Sequence, residues 1–239
     1  KNILVLGANS SIAKAICREL AKQGCNEFYF LVKDLNSIKL FTDELITKYN
    51  VKIFVKFLNL LEELNFESLG EFLNKDYDLC LIAAGYIGDT KKAEKDINES
   101  RKIIDTNFSS ICHFLNYFIT EERISKNGRL WVFSSVAGDK GRPSNYYYGA
   151  AKAGLQVFCE GLMLRCTSKP FFVRIIKAGY MYTPMTINKV PEILCVKPHN
   201  VAKILLKRPN KNGIEYLPWW WRFIMLLVKG LPHKILSKL

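Results

Sequence analysis

The segment Tyr148-Gly-Ala-Ala-Lys152 sets a phenol and an ammonium four residues apart, on one face of a helix. A free phenol titrates at about 10, too high for efficient acid/base work near neutrality. A cation one turn away stabilises the phenolate and lowers that value. Ser135 precedes Tyr148 by thirteen residues and follows an apolar run, where its hydroxyl could hydrogen-bond a carbonyl. Asn107 lies midway along a helical stretch although Asn is a poor helix former, which asks for a reason.

The elements that hold these residues follow from the apolar patterning. Strands are predicted at Ile3–Leu6, Glu27–Val32, Val51–Leu58, Asp78–Ala83, Gly128–Phe133, Phe171–Ile176 and Ile214–Leu217. Helices are predicted at Ser11–Gln23, Leu35–Tyr49, Leu61–Leu73, Lys92–Phe118, Ser144–Cys166 and Val201–Leu206. Strand and helix alternate throughout. That order implies an α/β fold: a Rossmann-like, doubly wound parallel sheet of about seven strands with helices on both faces. Ligands of such sheets bind beyond the carboxyl ends of the strands.

The first strand runs into Gly7-Ala8-Asn9-Ser10-Ser11-Ile12-Ala13 and then a helix. Small residues there let backbone approach a pyrophosphate at the helix N-terminus. The same residues suit an ordinary strand–helix turn capped by Ser10 or Ser11.

With these pieces in order, the chain resembles the short-chain dehydrogenase/reductase family of the Tyr-x-x-x-Lys type, over about residues 2–217. The resemblance rests on Gly7-x-x-x-Ser11-x-Ala13, Ala83-Ala84-Gly85, Asn107, Ser134-Ser135-x-Ala137-Gly138, Tyr148-x-x-x-Lys152 and Ala178-Gly179-x-x-x-Thr183-Pro184-Met185. It implies that Tyr148 is the general acid of carbonyl reduction and that Lys152 lowers its pKa and holds the nicotinamide ribose. Ser135 would polarise the carbonyl, and Asn107 would hold a water in a proton relay. The implied cofactor contacts are Gly7, Asn9, Ser10, Ser11, Ile12, Lys33, Asn59, Leu60, Ala83, Ala84, Gly85, Tyr148, Lys152, Gly179 and Thr183. Tyr146 and Tyr147 are expected as pocket wall or core. Three departures from the family pattern bear on the cofactor loop: one Gly instead of three, Ile82 where the family has Asn, and Ala178 where it has Pro.

Cofactor choice is read from the end of the second strand. An acid there suits the 2′-hydroxyl of NAD, and a cation suits the 2′-phosphate of NADP. The strand ends Val32-Lys33-Asp34, which favours NADP(H) over NAD(H), with Lys33 and Asn9 near the phosphate and Asp34 arguing the other way.

The composition, 49% hydrophobic and 24% charged over 239 residues, is that of a globular protein. Seven scattered cysteines without a C-x-x-C pair argue for free thiols in a reducing cytoplasm, and three distant histidines argue against a metal site. The first strand begins at once, which leaves no room for a signal peptide. Net charge is +13, and residues 197–239 carry nine Lys/Arg against one acid. A basic end suggests an anionic partner; no nucleic-acid module is recognisable.

Residues 1–217 are expected to form the NADP-binding catalytic domain and 218–239 a tail. The tail, with Trp219-Trp220-Trp221-Arg222-Phe223 and an apolar run too short to span a bilayer, fits either a membrane interface or the interface of a homodimer or homotetramer. A cytoplasmic protein, peripheral at the inner face of the membrane, would follow from the first. With the stretch Ser135-Val-Ala-Gly-Asp-x-Gly-Arg-Pro-Ser-Asn145, the tail resembles bacterial reductases of the decaprenylphosphoryl 2-keto-pentose reductase branch. That resemblance implies a lipid-linked keto-sugar. A soluble ketone or 3-oxoacyl thioester, and a non-catalytic NADP-binding regulator, are the competing readings. A lid is expected from 184–198, with Met185, Ile187, Val190 and Ile193 facing the substrate.

Overall fold

The structure, a computed structural model, describes residues 1–72, 74–182 and 192–237, with Glu71 described only in its backbone. In chain order its first half runs β1 (Asn2–Leu6), α1 (Ser11–Lys22), β2 (Glu27–Val32), α2 (Leu35–Tyr49), β3 (Lys52–Phe57), β4 (Tyr77–Ile82), α3 (Thr90–Ala93), α4 (Ile97–Ile104) and α5 (Ser110–Thr120). It continues β5 (Ile124–Ser135), α6 (Tyr146–Arg165), β6 (Phe172–Ala178), α7 (Pro198–Lys207), β7 (Gly213–Leu217), α8 (Trp221–Gly230) and α9 (His233–Leu236). The seven strands pair in parallel in the order β3-β2-β1-β4-β5-β6-β7. The chain winds outward from β1 to β3 and then resumes on the other side of β1 at β4. The crevice between β1 and β4 is therefore the topological switch point, where such sheets bind ligands.

Near-continuous apolar strands follow from burial on both faces. Ile3 and Val5 of β1 face one core with α1, α2 and α7, whereas Leu4 and Leu6 face the other with α5 and α6. The helices match that demand with single apolar stripes: Ile12, Ile16 and Leu20 on α1, and Leu155, Cys159 and Leu162 on α6.

Two expectations change. The predicted helix Leu61–Leu73 is only a short 3-10 segment at Glu67–Phe72, interrupted at Gly70, whose φ of +49° a helix does not tolerate. The predicted helix Lys92–Phe118 is three pieces. Asp89 and Asp96 each cap a new start by accepting backbone N–H groups, and a π turn at Asp105–Ser109 separates α4 from α5. The tail is helical and folded back, with Trp221 and Met225 buried against Val136. All seven cysteines are free, six of them buried, and no His/Cys/Asp/Glu cluster among the described residues could hold a metal. No described helix is long and apolar enough to cross a membrane.

Candidate active site

A continuous cleft of about 540 Å³ opens at the switch point. It is lined by Gly7, Asn9, Ser10, Ser11, Ile12, Lys33, Asn59, Leu60, Ala83, Ala84, Gly85, Ser135, Tyr148, Lys152 and Gly179. Every expected cofactor contact within the described residues is thus on one surface. Thr183 lies outside the described residues, as do Met185, Ile187 and Val190 of the expected lid. Ile193 is exposed on a short 3-10 turn.

At one end, Gly7 leaves β1 with φ +85°, and a Cβ there would lie 2.5 Å from the Ala84 backbone nitrogen. Only glycine lets the turn after β1 pass so close to the turn after β4. Ser10 stands at the N-cap of α1, yet its side chain makes no capping hydrogen bond, which removes support from the alternative of an ordinary capped turn. The first-turn N–H groups therefore stay available to an anion. Asn9 Nδ2 donates to the Asp34 carbonyl at 3.0 Å, and Asn9 Oδ1 is buried without a partner among the described residues. Asp34 does not line the cleft. Its carboxylate accepts the N–H groups of Asn36 (2.9 Å) and Ser37 (3.2 Å) and caps α2. That leaves Lys33, exposed and on the cleft wall, as the charged group at the end of β2. Uncapped helix N–H groups, a close-approach glycine and an orphaned buried acceptor together fit a dinucleotide.

At the other end, β5 delivers Ser135 and α6 delivers Tyr148 and Lys152. Ser135 and Tyr148 both line the cleft, and the Ser135 side chain acts on the Tyr148 phenol. Ser135 Oγ also accepts the Ala137 N–H at 3.1 Å, which fixes its rotamer. Lys152 is 2% exposed; its Nζ donates to the Phe133 carbonyl at 3.3 Å and lies 5.8 Å from the Tyr148 ring centre. Burial pushes the Tyr148 phenol up to about 12, against a smaller lowering by Ser135 and with none from Lys152, which corrects the expectation that the ammonium brings the phenol down in the cofactor-free chain. Burial also brings the Lys152 ammonium down to about 8. At neutral pH Tyr148 holds its proton and Lys152 is mostly charged, as proton delivery requires.

Asn107 does not line the cleft. It is fully buried in the π turn behind Gly85. Its Nδ2 donates to the carbonyls of Tyr86 (2.6 Å) and Ile103 (2.8 Å), and its Oδ1 accepts the Tyr86 N–H (3.1 Å). A Cβ on Gly85 would be 3.1 Å from Asn107 Oδ1 and 3.7 Å from Lys152 Nζ. Asn107 thus ties the turn after β4 to the helix beside Lys152. Tyr146 and Tyr147 are not in the cleft wall: they stack on each other, and Tyr146 donates to Glu94 at the surface.

Several working residues have no motif. Gln156, one turn beyond Lys152, donates to Ser134 Oγ (3.0 Å) and the Ser135 carbonyl (2.8 Å), and locks α6 to β5. Asp139 accepts from Lys177 (2.8 Å) and Tyr216 (2.5 Å) and pairs with Lys229 of α8 (3.5 Å). Trp221 packs so closely on Gly179 that a Cβ there would lie 1.8 Å from its Nε1. The i+4 spacing of Gln156 from Lys152 was the one available signal.

Fold and cleft define a dinucleotide-binding α/β protein with a Ser, Tyr and Lys cluster at one end of the cleft. The chain belongs to the short-chain dehydrogenase/reductase family: the short chain dehydrogenase profile matches residues 1–193. An uncharacterized oxidoreductase of Mycobacterium tuberculosis is 32% identical over 154 residues, 64% of this chain and 62% of that protein. The match therefore spans less than two thirds of that relative. The 3-oxoacyl-[acyl-carrier-protein] reductase of Escherichia coli is 28% identical over 189 residues, 78% of this chain and 75% of that one. A short-chain dehydrogenase from Sphingobium yanoikuyae, solved in complex with NADPH, shares the fold with a TM-score of 0.78 at 16% identity, covering 97% of this chain and 96% of that one.

Proposed function

We propose that this protein is an NADPH-dependent carbonyl reductase. The observation that carries the reading is one cleft joining an uncapped helix N-terminus to the Ser135, Tyr148 and Lys152 cluster. The turn Gly7–Ile12, with Asn59, Leu60, Ala83, Ala84, Gly85, Gly179 and Thr183, holds the dinucleotide, and Lys33 meets the 2′-phosphate. NADPH, when bound, supplies the hydride to the carbonyl carbon. Tyr148 gives its proton to the carbonyl oxygen, Ser135 donates a hydrogen bond to the same oxygen, and the Lys152 ammonium stabilises the phenolate left behind. Asn107 sets the Gly85–Tyr86 turn against Lys152 and positions the proton relay. The test is Tyr148→Phe with a panel of ketones. Retained NADPH binding with ketone reduction down about a thousandfold supports catalysis. Unchanged NADPH oxidation refutes it, and binding with no turnover in either protein favours a regulator.

The substrate we favour is a keto-sugar carried on a lipid. The support is the outer face of α8, apolar but uncovered: Leu226 and Leu227 are 70% and 71% exposed beside Trp219 and Phe223, with Arg222 and Lys229 at the flanks. Such a face suits anionic lipid headgroups, and like charge disfavours pairing with itself. Residues 1–217 then act as the catalytic domain and 218–239 as the part that seats it at the inner face of the membrane. Co-sedimentation of full-length protein with anionic liposomes, lost in Leu226→Lys/Leu227→Lys, tests this. If the double variant instead changes oligomeric state, the face is a subunit interface. The soluble alternative, a 3-oxoacyl thioester, draws on the 28% identity to the acyl-carrier-protein reductase.

A further inference from the structure

The cleft wall carries four cations, Lys33, Lys102, Arg142 and Lys152, and no Asp or Glu among the described residues. Residues 183–191, which follow the wall at Gly179–Met181, contain no acid either. Three of the cations have an occupation. Lys152 belongs to the proton-transfer cluster, and Lys33 stands at the end of β2. Lys102 lies 4.3 Å from the Tyr86 ring centre and is attracted by the buried Glu99.

Arg142 has none. It is half-buried on the turn between Ser135 and Tyr148, and no carboxylate pairs with it among the described residues. One Nη donates a long hydrogen bond, 3.5 Å, to the Tyr180 hydroxyl, and its Nε is buried with no partner among the described residues. A sheltered guanidinium without a counter-charge is unfavourable until an anion joins it. Its planar fork matches the two oxygens of a phosphate ester. Asn145 supplies a second, independent orphan on the same turn. It stands at the N-cap of α6 but its side chain caps nothing, and its Oδ1 is buried without a partner among the described residues. Such an acceptor calls for a hydroxyl donor. Both residues line the cleft with Tyr148, three residues beyond Asn145.

We propose that Arg142 and Asn145 form a substrate-anchoring subsite in which Arg142 takes a phosphate ester of the ketone substrate and Asn145 accepts from one of its hydroxyls. The inference rests on the reading of this cleft as a carbonyl reductase and names its substrate class: a hydroxylated, phosphate-bearing ketone.

The experiment compares dihydroxyacetone phosphate with dihydroxyacetone, one ketone with and without the ester, by calorimetry on the full chain loaded with NADP⁺ so that the cofactor's phosphate sites are filled. The phosphate ester is expected to bind about thirtyfold tighter, the order a charge-assisted hydrogen-bonded pair supplies. Arg142→Met is expected to bring the preference within about threefold, with Arg142→Lys between, since the charge stays and the fork is lost. Asn145→Ala weakens both ligands alike. NADP⁺ affinity unchanged in each variant shows that it is folded. Equal affinity of the two ligands in the parent protein, no binding of either, or a preference that survives Arg142→Met overturns the proposal. Competition by phosphatidylglycerol vesicles would place the ester on a lipid headgroup; no competition would make it a free ester, and either supports the subsite. Failure of the carbonyl-reductase reading shows separately, as absent NADP⁺ binding or Tyr148-independent NADPH oxidation, and the part of the ester preference that Arg142→Met removes from the cofactor-free chain still reports on Arg142.

Discussion

Replacing Lys152 by Met should stabilise the cofactor-free protein near neutral pH, and the gain should shrink as pH rises. Lys152 is 2% exposed, and burial brings its ammonium from 10.5 down to about 8 in the folded chain. Between those values the unfolded chain holds a proton that the folded chain has released, so wild-type stability rises with pH across that window. At pH 7 the charged ammonium opposes folding by about 3 kcal/mol relative to a neutral group, and at pH 9.5 by about 1 kcal/mol. The advantage of Lys152→Met over wild type should therefore fall by about 2 kcal/mol between the two pH values. Packing differences between Met and the lysine stem are the same at both and cancel. For a chain of this size that is a change of roughly 4–8 °C in relative Tm, readable also by urea titration. A stability difference that does not vary from pH 7 to 9.5 would refute the idea of a desolvated ammonium. Ketone reduction should be lost in the same variant, because nothing then stabilises the Tyr148 phenolate.

Three further outcomes are expected. Gly7→Ala should cost about 2–4 kcal/mol in urea unfolding and weaken NADPH binding at least about tenfold, since φ +85° and a 2.5 Å approach to Ala84 combine strain with a backbone clash; normal NADPH affinity would remove this turn from the site. Lys33→Glu should weaken NADPH about tenfold or more while sparing NADH, and equal losses by fluorescence titration would show that Lys33 does not meet a 2′-phosphate. Trp221→Ala should cost about 3–5 kcal/mol, because the ring is 3% exposed and packs on Gly179 and Tyr180; a loss under about 1 kcal/mol would mean that the tail adds little to the core.

The alternation of apolar strands with striped helices was sufficient for the parallel sheet, because burial on both faces leaves strands nothing but apolar residues to use. Tyr148 and Lys152 were legible together because four residues on a helix are neighbours in space. Ser135 and the Gly7 turn were legible because each ends a strand, and strand ends are where such sheets bind. Other features are long-range, and no spacing announces them. That Asp34 caps α2 depends on where that helix starts, so its carboxylate could not be discounted from the order Val32-Lys33-Asp34 alone. The break at Asn107 needs the Tyr86 backbone, 21 residues away in sequence, to satisfy the amide. Arg142 reads as one more basic residue of a basic chain until the fold turns it toward Tyr180 and leaves it without a carboxylate among the described residues. The tail shows the division most clearly. Its sequence determined an apolar, basic segment, but only tertiary packing decided which face is buried: Trp221 and Met225 dock beside Gly179 and Val136 where glycine leaves room for an indole, and Leu226 and Leu227 are left outside.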